Sequence, residues 1–90
     1  MNSRAKVYVQ VDVTFDESGL MRPASLIWED GTRYEIDRVL DRCPAAAQKA
    51  GGCGDRYTVR VNNRDTYLFF EHSNDPSSPV TGRWFVERRI

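Results

Sequence analysis

The chain has 90 residues, 13 basic and 13 acidic side chains, 40% hydrophobic and 11% aromatic residues. That length is one domain's worth, able to bury roughly 60–65% of the surface its unfolded form exposes, and the composition is globular rather than that of a disordered polar chain. Zero net charge removes any demand, from overall balance, for a nucleic acid or an anionic membrane. Eleven of the basic residues are Arg and two are Lys; Arg forks onto phosphate and stacks on aromatic faces, although codon bias also yields such a ratio. No apolar run approaches the ~18 residues of a membrane span, and Met1–Lys6 leads straight into alternating residues without a secretory segment, so the expected location is the cytoplasm. Cys43 and Cys53 are accordingly expected as free thiols.

From Lys6 to Phe15 the chain alternates, with Val7, Val9, Val11, Val13 and Phe15 on one face and Tyr8, Gln10, Asp12 and Thr14 on the other, which predicts a half-buried strand. Asp16-Glu17-Ser18-Gly19 suits a hairpin loop around a type I turn. Pro23 opens a second strand over Ala24–Glu29, and Asp30-Gly31 predicts a two-residue hairpin turn into a third, Thr32–Val39. Alternation there breaks at Arg38, which predicts a bulge. Pro44 to Ala50, followed by Gly51, reads as a short helical turn over residues 44–50. A fourth strand covers Arg56–Val61, and Asn62-Asn63-Arg64-Asp65 turns the chain into a fifth, Thr66–Glu71. In that fifth strand Tyr67, Leu68, Phe69 and Phe70 run without alternation, as in a central strand. Residues 73–82 are expected to form a mobile polar loop, and Arg83–Arg89 a sixth strand.

The predicted fold is therefore all-β: about six antiparallel strands in a meander curled into a small, partly open barrel, with one short helical turn. Its core is expected to hold Val9, Val11, Val13, Leu26, Trp28, Tyr34, Ile36, Tyr57, Val59, Val61, Leu68, Phe70, Trp84 and Val86.

Catalytic chemistry has little to stand on. His72 is the sole histidine, and neither Cys43 nor Cys53 carries the local signature of a nucleophile paired with it. The cysteines lack the paired spacing of a structural zinc site. Glu35 and Asp37 share a strand face with Arg33, and read as a solvated charge ladder with Arg56 or Arg60 rather than an acid–base pair in a dry pocket. Gly51-Gly52-Cys53-Gly54 follows a helical turn and precedes a strand, the reverse of a phosphate-binding loop. The expectation is a non-enzymatic protein with no cofactor, no metal and no catalytic residues.

What remains is surface. Arg33, Arg56, Arg60, Arg64 and Arg83, with Tyr8, Tyr67 and Phe69, could build a face on which aromatic rings stack bases and guanidinium groups track phosphates. The competing arrangement pairs these arginines with Asp12, Glu35, Asp37, Asp65, Glu71 and Glu87.

The run from Pro23 to Leu40, with Gly54-Asp55-Arg56-Tyr57-Thr58-Val59, Leu68-Phe69-Phe70-Glu71 and Gly82-Arg83-Trp84-Phe85-Val86-Glu87, resembles short uncharacterised proteins of clostridial bacteria. A looser likeness, in the proline, the tryptophan hairpin and the late Gly82-Arg83-Trp84, is to actinobacterial domains of unknown function. The resemblance implies a bacterial protein encoded near error-prone repair polymerases, and assigns no functional residue. The reading is thus a small β-barrel binding module with a nucleic acid or a repair-type protein as partner. The alternative is a protein–protein adaptor or homo-oligomer that uses an exposed strand edge.

Overall fold

A computed structural model describes residues 4–46 and 53–89. Seven strands form one antiparallel sheet: β1 (Arg4–Phe15), β2 (Met21–Ile27), β3 (Arg33–Glu35), β4 (Arg38–Ala46), β5 (Cys53–Val61), β6 (Arg64–His72) and β7 (Gly82–Arg89). Their order is β3-β2-β1-β7-β6-β5-β4. Two local meanders, β1 to β3 and β4 to β7, are joined where β7 returns to pair with β1, from Arg4 opposite Arg89 to Val9 opposite Trp84.

The strand count is seven rather than six because the third predicted strand divides. The chain leaves one sheet edge at Glu35 and reaches the opposite edge at Arg38, crossing on Ile36 and Asp37. The Ile36 N–H donates to the Ala24 carbonyl (3.0 Å) and the Asp37 N–H to that of Arg60 (2.8 Å), so two successive amides bond to opposite edges. The sheet is thereby curled into a half-barrel whose edges meet at this corner. Beyond it, the first residues of β2 and the middle of β4 diverge around a cleft of about 550 Å³ that reaches inward to Tyr57.

The expected bulge lies in β4 two residues beyond Arg38, where the register with β5 shifts between Val39 and Asp41. The expected helical turn is corrected over its first three residues, because Pro44, Ala45 and Ala46 continue β4 opposite Asp55, Gly54 and Cys53. A helix that short is marginal by itself, whereas ladder pairing along an existing strand stabilises each added residue. Residues 47–50, the rest of that predicted turn, and Gly51-Gly52 lie outside the described residues.

Turn chemistry redistributes between hairpins. At Asp30-Gly31 only Gly31 has positive φ (87°), and its N–H donates to the Trp28 carbonyl at 2.9 Å. The loop is therefore a turn closed by a left-handed glycine, and Asp16 to Gly19 repeats it with φ of 88° at Gly19. The two-residue turn with both φ positive is instead Asn62-Asn63, at 52° and 63°, inside the Val61–Arg64 pair.

Inside the curl, Tyr57, Val59, Leu68, Phe70 and Trp84 form the buried cluster, with Val9, Val11, Val13, Ile36, Val61 and Val86 packed against it. Met21 and Val39 join them. Trp28 and Tyr34 are half-buried, and Phe15, at the open end of β1, is exposed. The 73–82 segment carries its own bonds: the Ser73 N–H donates to the Thr81 carbonyl (3.0 Å), and Asp75 Oδ1 accepts from the Ser77 amide (3.0 Å) and hydroxyl (2.7 Å).

Candidate nucleic-acid interface

Because side chains alternate along each strand, the residues that do not enter the core present a second, outer face. On β1 these are Lys6 and Tyr8, on β7 Arg83 and Phe85, on β6 Tyr67, Phe69 and Glu71, and on β5 Arg56. The register brings them into a row: Tyr8 lies opposite Phe85, Phe85 opposite Phe69, and Phe69 opposite Arg56.

The rings along that row touch. Tyr8 meets Phe85 edge-on with centroids 5.8 Å apart, Phe85 and Phe69 stack at 5.0 Å with planes 7° apart, and Phe69 meets Tyr67 edge-on at 6.4 Å. Such pairs favour offset and T-shaped geometries because of the ring quadrupole. Three cations lie against the same rings: Arg83 over Tyr8 (3.5 Å to the centroid), Arg56 over Tyr67 (4.6 Å) and Lys6 over Phe85 (4.8 Å). The ends of the row are open, with Tyr8 39% and Tyr67 47% exposed, while Phe85 is buried beneath its neighbours.

One carboxylate organises the Tyr8 end. Glu71 accepts from Lys6 Nζ (2.6 Å) and from the Tyr8 hydroxyl (2.9 Å), fixing both side chains. The Lys6 bond, ahead of that from Tyr8 and the field of Arg83, holds the Glu71 carboxyl below its ordinary range. At the other end, the Arg56 Nε is buried with no hydrogen-bond partner among the described residues. An orphaned donor is costly to keep, and here the cost falls on an arginine laid over an aromatic ring.

The five arginines singled out from sequence separate into two groups. Arg56 and Arg83 belong to the row. Arg33 lies at the β3 edge and pairs with Asp12 (2.9 Å) and Glu35 (3.3 Å). Arg60 pairs with Asp65 on the neighbouring strand (2.9 Å), and Arg64 stands at the tip of the β5–β6 hairpin opposite Val61. Lys6 and Phe85 were not singled out. Their period-two positions beside Tyr8 and Arg83 are visible in sequence, but the β1–β7 pairing that unites them is not.

Elsewhere, Asp55 is buried at the inner end of β5, where it faces His72 Nε2 (3.1 Å) and Arg42 (3.5 Å). Thus His72 contacts a carboxylate, and Cys43 is a half-buried free thiol. Among the described residues no group of three or more His, Cys, Asp or Glu side chains converges as metal ligands would. No helix is long and apolar enough to cross a membrane. No family model, curated protein or solved structure matches the chain.

Proposed function

We propose that this protein is a non-enzymatic binding module of the bacterial cytoplasm that takes single-stranded nucleic acid across its outer aromatic row. The observation that carries the reading is the joint placement of Tyr67, Phe69, Phe85 and Tyr8 in contact, with Arg56, Arg83 and Lys6 against their rings. Every base has a π-face, so rings and guanidinium planes accept bases without regard to sequence, while Arg56 and Arg83 neutralise phosphates. A duplex offers no exposed base faces, so single strands are the preferred substrate. The row is preorganised, since Glu71 holds Lys6 and Tyr8 before any ligand arrives. The resemblance to bacterial proteins encoded near repair polymerases agrees with this reading.

The strand-edge alternative has less support. Of the two long strands with a free side, β2 before Ser25 carries Pro23 and β4 carries Pro44 and a register shift. Proline and bulges blunt an edge against further pairing.

The test is fluorescence anisotropy of labelled single-stranded and duplex oligonucleotides at low and physiological salt. Single strands are expected to bind more tightly, with affinity falling as salt rises. Tyr67→Ala or Tyr8→Ala is expected to weaken binding by roughly 5- to 150-fold, from about 1–3 kcal/mol of stacking per base. Arg56→Ala with Arg83→Ala should flatten the salt dependence, whereas Arg33→Ala at the distant edge should leave it nearly unchanged. Absence of binding at tens of micromolar protein in low salt would overturn the proposal.

A further inference from the structure

The cleft between β2 and β4 lies away from the aromatic row and opens toward the core. Its depth is marked by Tyr57, 3% exposed, whose register partner on β4, Arg42, stays exposed beside it. Leu20 and Leu40 flank the opening, and both stay about two-fifths exposed, at 43% and 40%. Large apolar side chains left in water beside a concavity mark a binding surface more often than an accident of folding.

Arg42 and the Tyr57 hydroxyl lie side by side in the cleft, and burial pushes the Tyr57 hydroxyl up while the hydrogen bond from Arg42 pulls the other way. The ion pair of Arg42 to Asp55 is long at 3.5 Å, and a guanidinium has five N–H donors to offer. Arg22 and Arg38 stand on the rim without an ion pair among the described residues. Two carboxylates, Asp37 and Asp41, also border the cleft beside Arg38. Asp41 is the register partner of Thr58 on the outer face, and Asp37 lies in the field of Arg60. The cleft thus sets three guanidinium groups, that of Arg42 paired with Asp55, against two carboxylates, and Leu20, Met21, Pro23, Ile36, Val39 and Leu40 supply its apolar lining.

We infer that this cleft is a second binding site, for a small organic anion with an apolar body, whose charged group meets Arg42 and Tyr57 while its body lies between Leu20 and Leu40. The volume of about 550 Å³ falls in the range of small-molecule sites, roughly 300–1,000 Å³. Arg22 and Arg38 draw the anion toward the mouth, and Arg42 meets it with charge-assisted hydrogen bonds.

The probe is 1-anilinonaphthalene-8-sulfonate, an apolar aromatic anion, titrated into the intact chain. The Trp84 ring lies tilted against Tyr57 with centroids 5.2 Å apart, so energy transfer from tryptophan to probe reports occupancy near the cleft floor. Saturable one-site binding is expected, with affinity lowered about tenfold or more by Arg42→Gln, since a hydrogen bond to a charged group is at stake. The exposed rim variant Arg38→Gln, which removes no ion pair, is expected to weaken binding with unchanged circular dichroism and thermal midpoint. The neutral analogue N-phenyl-1-naphthylamine should bind at least about tenfold more weakly, and Tyr67→Ala on the outer face should not matter. Equal binding of the neutral analogue, indifference to both arginine variants, or no saturable binding would each overturn the inference.

Discussion

Glycine 82 shows how closely the residues beneath the outer row are fitted. A methyl group placed there would stand 2.5 Å from both the Glu71 carbonyl oxygen and the edge of the Phe70 ring, one of them unyielding backbone. Gly82→Ala is expected to destabilise the fold by about 1–3 kcal/mol, read by chemical denaturation. The Glu71–Lys6 bond gives a second expectation, on pH. Glu71 is held below its ordinary value of about 4.5 by that bond, so its contribution is present above that value and is lost as pH falls through the depressed one. Lys6 is raised above 10.5 by the same bond, so its contribution is present below that value and lost as pH climbs through the raised one. Wild type should therefore lose more stability than Glu71→Gln on acidification below about pH 4.5, measured by denaturation at successive pH values. Residue type alone pointed to arginines and aromatics as the binding groups, and period two placed Tyr8 on a face away from the valines, whereas the unbroken apolar run of the fifth strand left the faces of Tyr67 and Phe69 open. What type could not supply was partnership: Arg60 and Arg33 look like Arg56 and Arg83 until Asp65 and Asp12 are found beside them.

At the level of elements, hydrophobic alternation located β1, β5 and the closing strand because each has one face in the core. The same signal marked the break near Arg38 but joined the strands on either side of it, where two effects lie close together: a crossing between sheet edges at Ile36-Asp37 and the expected bulge, at Leu40. Both displace the period by a residue, and neither has its own composition. The predicted turn at residues 44–50 rested on proline and alanine, which suit a helix start; over residues 44–46 pairing with β5 prevails. Proline in an edge strand also removes a donor that a partner strand would need. The β2 and β4 edges are expected not to join copies of the chain, so light scattering should give a monomer mass across the accessible concentration range. A concentration-dependent dimer abolished by substitution on β4 would instead support assembly through that edge.

For the whole molecule, the decisive pairing is the one furthest apart in sequence. β1 and β7 lie at opposite ends of the chain, and their ladder builds the centre of the sheet and half of the aromatic row. No local pattern carries such a contact, which is why the all-β curl was legible in the sequence while Phe85 and Lys6 were absent from the expected site. The molecule thus has an outer face of rings and cations, and a cleft set apart from it between β2 and β4. The most direct test is an amide chemical-shift map of the ¹⁵N-labelled protein titrated with a short single-stranded oligonucleotide. The expected result is a contiguous set of shifts at Lys6, Tyr8, Arg56, Tyr67, Phe69, Arg83 and Phe85, with Arg33, Arg64 and the cleft residues unmoved. Shifts confined to the β4 edge or the cleft, or none at saturating oligonucleotide, would contradict the account.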